Sequence, residues 1–269
     1  MPVTGLGGGK KGVKRMASND WSAEQYLKYR DERTQPSMDL ISRISGITPE
    51  KAADIGCGPG NSTAVLAKRF PNAEVTGMDY AEDMLLKAGQ DYPDLKFIRC
   101  DAEKDLGKYE ESFDIVLSNA CIQWLPNHQK LIPEMFAMLR SGGILAVQQP
   151  MNYDEPIQRI IRETAKTFDL PLRKLDILSR EGYYDVLSEL TDDFDIWQIT
   201  YMHRLKSHRD IIEWYRGTGM RPYLSLLNAE GKAEFEAAVL REAKKSYEIR
   251  ADGTIMFPFP RLFFTAKKS

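Results

Sequence analysis

Two hydrophobic rhythms alternate along the first 150 residues. Short runs that are almost continuously apolar ("KAADI", "AEVTGMD", "LKFIRC", "SFDIVLSN" and "GGILAVQQ") read as strands covered on both faces. Between them, "NSTAVLAKRF", "AEDMLLKAG" and "QKLIPEMFAML" have the spacing of amphipathic helices. The first of these helices is expected to begin at Asn61 or Ser62 as its N-cap. Strand and helix recurring at this interval imply βαβ units, hence a mainly parallel sheet.

Upstream, "AEQYLKYRDERT" (23–34) and "PSMDLISRI" (36–44) read as two helices, with Pro36 in the first turn of the second. Beyond residue 150 helices dominate, interrupted by the strand "FDIWQITYMHRL" and closed by "TIMFPFPRLFFTAKK". Pro258 and Pro260 in that last strand predict an edge position or a bent entry. The expected fold is α/β: a Rossmann-like, mainly parallel seven-stranded sheet with helices on both faces and a helical lid insertion. One domain spans 21–269, with N-terminal helices over 21–46, a cofactor-binding core over 50–150 and the lid over 202–250. The glycine-rich opening, 1–20, has no preceding strand and no G-K-[ST], so it reads as a flexible leader and not as a phosphate loop.

Composition narrows the function classes. The 269 residues are 28% charged with a net charge of −2, so nothing points to nucleic acid. No apolar run approaches the roughly 20 residues of a membrane span. Three separated cysteines without C-x-x-C spacing, and three histidines without a zinc pattern, predict no metal and a reducing cytoplasmic setting. A monomer or weak homodimer acting on a small molecule is expected.

The chemistry gathers at "ADIGCGPGNST", where Gly56, Gly58 and Gly60 follow the first strand. A dinucleotide site would carry G-x-G-x-x-G with its pyrophosphate at the helix N-terminus. Here the pattern is G-x-G-x-G, and Asp54 stands two positions before it. That carboxylate would repel a pyrophosphate by about 1 kcal/mol in fairly polar surroundings and attract an ammonium. An amine-bearing nucleoside is therefore favoured, with an NAD-dependent oxidoreductase as the remote alternative. Asp79 ends the second strand, where it can accept ribose hydroxyls. Asp101 follows the third strand, facing an adenine amine. Asn119, Ala120 and Trp124 follow the fourth, at the carboxyl edge where open α/β sheets bind ligands. Each also has a plainer reading: Asp101 as a helix cap, Trp124 as core, Cys57 and Cys121 as packing.

Taken together, these stations resemble the class I S-adenosylmethionine-dependent methyltransferases. "DIGCGPGNST" is similar to their first motif, "GMDYAEDML" to their ribose station, "CDAE" to their adenine station and "FDIVLSNACIQWLPN" to the segment beside the methyl group. The resemblance covers about residues 50–150 and implies S-adenosylmethionine as cofactor. Gly56 and Gly58, with Cys57, would approach its methionine part, Asp79 with Tyr80 its ribose, and Asp101 with Ala102 its adenine, on whose face Met84 would pack. Gln25 and Tyr26 would close the pocket from the N-terminal helix.

A narrower similarity, to the trans-aconitate 2-methyltransferases that esterify a tricarboxylate, extends over "WSAEQYLKYRDERTQP", "IIEWYRGTGMRPYL" and "FPFPRLFFTAKK". It implies a methyl ester of a small polycarboxylic acid as product. A carboxylate nucleophile is ionised at pH 7, so no catalytic base is assigned. Arg33, Arg221 and Arg261, with Trp124 and Tyr223 and with Trp214 nearby, would hold the acid through planar guanidinium groups. The alternative, a methyltransferase acting on an amine, a phenol or carbon, would need a base such as His128 or Tyr29.

Overall fold

The computed structural model describes residues 30–172 and 176–269, with side chains from residue 34 onward. Its centre is β1 (Lys51–Ile55), paired in parallel with β2 (Glu74–Asp79) on one side and β4 (Phe113–Asn119) on the other. β3 (Lys96–Arg99) flanks β2, and β5 (Leu139–Pro150) flanks β4, both in parallel. β7 (Ile255–Lys267) runs antiparallel between β5 and β6 (Phe194–Leu205), completing the order β3-β2-β1-β4-β5-β7-β6. The direction of winding reverses between β1 and β4, which leaves a crevice at their carboxyl ends.

Both faces are covered. α1 (Arg30–Ser42) and α2 (Asn61–Arg69) bring Leu40, Ile41 and Leu66 against Ile115, Leu117 and Ala146. On the other face α4 (His128–Ala137) and α6 (Arg180–Leu190) bury Ile132, Phe136 and Leu187 against Ile55, Val116 and Leu145. α3 (Glu82–Asp91) follows β2. Each such aliphatic side chain contributes roughly 1.5–3 kcal/mol when fully buried. Between β6 and β7 stand α7 (His208–Arg216), α8 (Arg221–Leu224) and α9 (Ala229–Ser246). They share a separate core with α5 (Pro156–Thr167), centred on Ile161, Tyr215, Phe235 and Phe257.

Three expectations change. The two N-terminal helices are, within the described residues, one helix that runs through Pro36. An interior proline costs about 3 kcal/mol. The burial of Leu40 and Ile41 just beyond it offsets that, and Ser37 Oγ donates to Thr34 O at 2.7 Å. Second, the N-cap of α2 is Gly60, with φ 90°, and not Asn61 or Ser62. Third, β7 is an interior strand. Its prolines lie beyond the end of the β5 ladder, which stops at Arg261; β6 pairs with them, Pro258 opposite Met202 and Pro260 opposite Thr200, and on the β5 side Pro260 O still accepts the Met151 amide at 2.9 Å. The missing N–H groups therefore fall on a stretch that is locally an edge. The leader assigned to 1–20 and the residues 23–29 lie outside the described residues. Among the described residues no helix is long and apolar enough to cross a membrane.

Candidate active site

The glycine loop leaves β1 with the Gly56 and Cys57 amides donating to Met78 O at 2.7 and 3.1 Å. The three glycines differ in what surrounds them. A Cβ on Gly56 would lie 2.0 Å from Cys121 Sγ, and one on Gly60 would lie 2.9 Å from the Tyr92 ring. A Cβ on Gly58 would meet nothing within 4 Å among the described residues, although its φ of 53° already favours glycine. Gly58 thus presents bare backbone to open space, whereas Gly56 is glycine because Cys121 packs there. Cys57 is buried, and that burial raises its thiol pKa well above normal. It packs against Gly77, in keeping with its plainer reading.

Asp54 is fully buried beneath the loop. Its Oδ2 accepts the hydroxyls of Ser62 and Thr63, both at 2.7 Å, which ties the start of α2 to the end of β1. Ser62, one of the two residues expected to cap the helix, is thereby engaged with Asp54 instead. Burial raises the Asp54 pKa to about 6, the two hydroxyl bonds oppose the rise, and the charge of Asp79 adds to it. Its Oδ1 is buried with no hydrogen-bond partner among the described residues. Asp79 sits beside it at the end of β2, accepting the Gly58 amide on Oδ2 and the Ala81 amide on Oδ1, each at 2.8 Å.

Next to Asp79, Tyr80 is exposed beneath the Arg99 guanidinium, 5.3 Å from its ring centroid. Met84 is buried at the start of α3, and Ala102 is buried in the core below. Asp101 behaves as a turn cap: its Oδ1 accepts the Glu103 amide at 3.1 Å and its Oδ2 pairs with Lys104 at 3.1 Å.

The carboxyl end of β4 opens into a cavity of about 150 Å³. Asn119, Ala120 and Trp124 line it, as does Gln123. Ala120 adopts φ 53°, a left-handed conformation that costs a non-glycine residue roughly 1–3 kcal/mol. It is held there by its amide donating to Gln148 O at 2.9 Å and its carbonyl accepting Gln123 Nε2 at 2.7 Å. Asn119 Oδ1 and Gln123 Oε1 are buried acceptors with no partner among the described residues.

The cavity also carries cations. Arg261, 5% exposed, donates from Nη1 to Gln148 Oε1 at 3.3 Å and lies 4.7 Å over the Phe259 ring. Tyr223 and Trp214 contribute walls. Arg221 opens α8 and is 8% exposed, but it does not line the cavity, because the first residue of that short helix is turned into its packing. The Arg33 side chain, and Gln25 and Tyr26 entirely, lie outside the described residues. Sequence reasoning missed Arg162, a cavity-lining cation on α5. The available signal was its place two turns into a helix that follows β5 closely, at the same sheet edge as the glycine loop.

Among the described residues the cavity is lined by two arginines and by no Asp, Glu, His or Cys. The possible base His128 is buried elsewhere, with Nδ1 on the Tyr183 hydroxyl and Nε2 at 2.8 Å from Ile122 O; Tyr29 lies outside the described residues. His203 stands behind Trp214, 4.7 Å between ring centroids. Burial first, and then the charge of Arg261, push its pKa down to about 4. The site thus combines a buried acceptor, Asn119 Oδ1, with two guanidinium groups, while Asp54 Oδ1 is a further buried acceptor beneath the glycine loop. The acceptors and the open space at Gly58 fit a cationic, amine-bearing nucleoside.

A family model described as a methyltransferase domain matches residues 53–147. The chain is 40% identical over 257 residues to a trans-aconitate 2-methyltransferase of Methylobacterium nodulans, covering 93% of this chain and 99% of the relative. It is 38% identical to the trans-aconitate 2-methyltransferase of an Escherichia coli strain, with the same coverage of both. Among solved structures, the YcgJ protein of Bacillus subtilis superposes with a TM-score of 0.60 at 15% identity, covering 87% of this chain and 99% of that one. A Haemonchus contortus phosphoethanolamine N-methyltransferase solved with S-adenosyl-L-methionine gives 0.53 at 18% identity, covering 87% and 53%. These two likenesses speak to the fold.

Proposed function

The chain belongs to the trans-aconitate 2-methyltransferase family, and on that footing we propose that it methylates a carboxylate of a small polycarboxylic acid, trans-aconitate first, using S-adenosylmethionine. The observation that carries the substrate class is the cavity at the end of β4, which holds two guanidinium groups and no acidic side chain among the described residues. Such a cavity favours polyanions and disfavours amines.

S-adenosylmethionine, when bound, supplies a methyl group on a sulfonium centre. Gly58 admits its methionine part to the backbone, and Asp79 receives the ribose hydroxyls on its remaining lone pairs. Tyr80, Met84, Asp101 and Ala102 frame the adenine. Asn119 Oδ1, and Asp54 Oδ1 from below, offer acceptors to the ammonium. Arg261, fixed by Gln148, holds the reacting carboxylate, while Trp124 and Tyr223 exclude water around it. Arg221 supports Tyr223 from the start of α8, and Arg33, Gln25 and Tyr26 complete the closure from the N-terminal side.

No proton has to move. The acid's carboxylate is already ionised at pH 7. Alignment of nucleophile and methyl group, with desolvation of the oxygen, can lower the barrier by several kcal/mol. The helices between β6 and β7 serve as the lid. The reading includes a cytoplasmic monomer or weak homodimer that works on a small molecule and not on nucleic acid, supported by the net charge of −2 and the three free cysteines.

Incubation with S-adenosylmethionine and a panel of di- and tricarboxylates, followed by mass detection of methyl esters, tests the proposal. Ester formation on trans-aconitate is expected. Cofactor turnover on an amine or phenol panel, with no ester from any acid, would overturn it.

A further inference from the structure

The cavity's second cation suggests how the enzyme tells a polycarboxylate from a simple acid. Arg162 lies on α5 and folds back over the segment that leaves β5. Its Nη1 donates to Tyr153 O at 2.7 Å, and its guanidinium carbon stands 3.7 Å from the Tyr153 ring centroid. These two contacts fix the plane of the guanidinium without neutralising it, since a carbonyl oxygen and a ring face carry no formal charge. Its chain neighbour Glu163 is turned away and pairs with Lys166 at 2.7 Å. Among the described residues no carboxylate pairs with Arg162; a preset guanidinium of this kind lining a cavity is organised to receive an anion, and its planar fork suits a carboxylate.

The placement of the two arginines divides their roles. Arg261 is bonded to Gln148, and the backbone carbonyl of that same residue holds Ala120 at the end of β4. Arg261 is thereby coupled to the edge where the cofactor's methionine part is read. Arg162 is anchored to Tyr153, an exposed residue at the outer part of the same cavity. We propose that Arg162 is the specificity-determining residue of this enzyme, binding a second carboxylate of the substrate, one that does not react. This rests on the reading of the cavity as an acid site. A monocarboxylate would satisfy Arg261 alone and leave Arg162 without its anion.

The test compares trans-aconitate with crotonate, which keeps a trans-alkene and one carboxylate. Arg162→Met is expected to weaken trans-aconitate binding to the S-adenosylhomocysteine complex by at least tenfold in calorimetry. It should raise KM for trans-aconitate while leaving kcat within about threefold, lower kcat/KM for crotonate far less than that for trans-aconitate, and keep a single cooperative thermal transition. Arg162→Lys, which keeps the charge and loses the fork, should fall between wild type and Arg162→Met. A trans-aconitate-to-crotonate preference that is unchanged in a folded Arg162→Met protein overturns the assignment alone. Failure of the wild-type complex to bind any polycarboxylate overturns it together with the acid reading.

Discussion

Gly56 and the side chain of Cys121 compete for one space: a Cβ on the first would stand 2.0 Å from the sulfur of the second. The contact locks the glycine loop to the segment after β4, so the two halves of the crevice are set by each other. Gly56→Ala is expected to destabilise the protein itself by about 1–3 kcal/mol, the usual cost of overpacking, read as a lower denaturation midpoint. At Gly58 an added Cβ meets no atom of the described residues within 4 Å, so Gly58→Val should lose less stability, mainly from its positive φ, and yet abolish S-adenosylhomocysteine binding. Equal loss of binding and stability in both variants would remove the distinction between the two glycines.

Asp54 gives the fold a pH signature. Its folded pKa of about 6 lies above the roughly 3.9 of an unfolded aspartate. Between those values the folded state holds the proton that the unfolded state has lost. Stability attributable to this group is therefore fully present below pH 4 and is lost as the pH rises through 6, by on the order of 3 kcal/mol. Denaturant titrations of wild type and Asp54→Asn should diverge across pH 4–7, with wild type gaining relative stability towards acid. Parallel curves would show that the buried carboxyl titrates normally.

Much of this was legible in the chain. The alternation of apolar runs and helical spacing marks out the strands, and the glycine loop with Asp79 marks the crevice. What remained hidden depends on tertiary contacts. Ser62 and Thr63 have the chemistry of N-caps, but a buried carboxylate eight and nine residues earlier takes their hydroxyls. Three arginines were chosen from segments that look alike across a family. Of these Arg261 lines the cavity and Arg221 does not, since the direction of a side chain on a one-turn helix is decided by packing. Arg162 carried no motif, only a position relative to β5 that becomes meaningful once the sheet is assembled.

Arg261 and Gln148 should respond as a unit. Arg261→Leu is expected to raise KM for the acid about 10- to 100-fold, in line with losing charge-assisted hydrogen bonds of roughly 1.5–3 kcal/mol, with S-adenosylhomocysteine affinity kept. Gln148→Leu leaves the charge and the contact with the Phe259 ring but removes one hydrogen bond that orients the guanidinium, so a smaller rise in KM is expected. The double variant should cost less than the sum of the two. Additive losses in steady-state kinetics would separate the pair.

The pH–rate profile discriminates the chemistry. Since no Asp, Glu, His or Cys lines the cavity among the described residues, burial raises the lining Tyr215 phenol well above its usual range, and His203 has a pKa of about 4, kcat at saturating cofactor should be flat from pH 6 to 8. A limb rising through that range would instead point to general-base assistance and to an amine, phenol or carbon acceptor.

The two-arginine lining has one more consequence, for how a turnover ends. Esterification removes a negative charge from the carboxylate that Arg261 is proposed to hold, and the cofactor loses its positive charge in the same event. The ester therefore departs from a site that still favours fresh, fully ionised acid. Product inhibition by the monoester should be weak beside the affinity for the parent acid, and the ratio should shrink as added salt screens the guanidinium groups. The reaction clears its own site by discharging the group that held the substrate there.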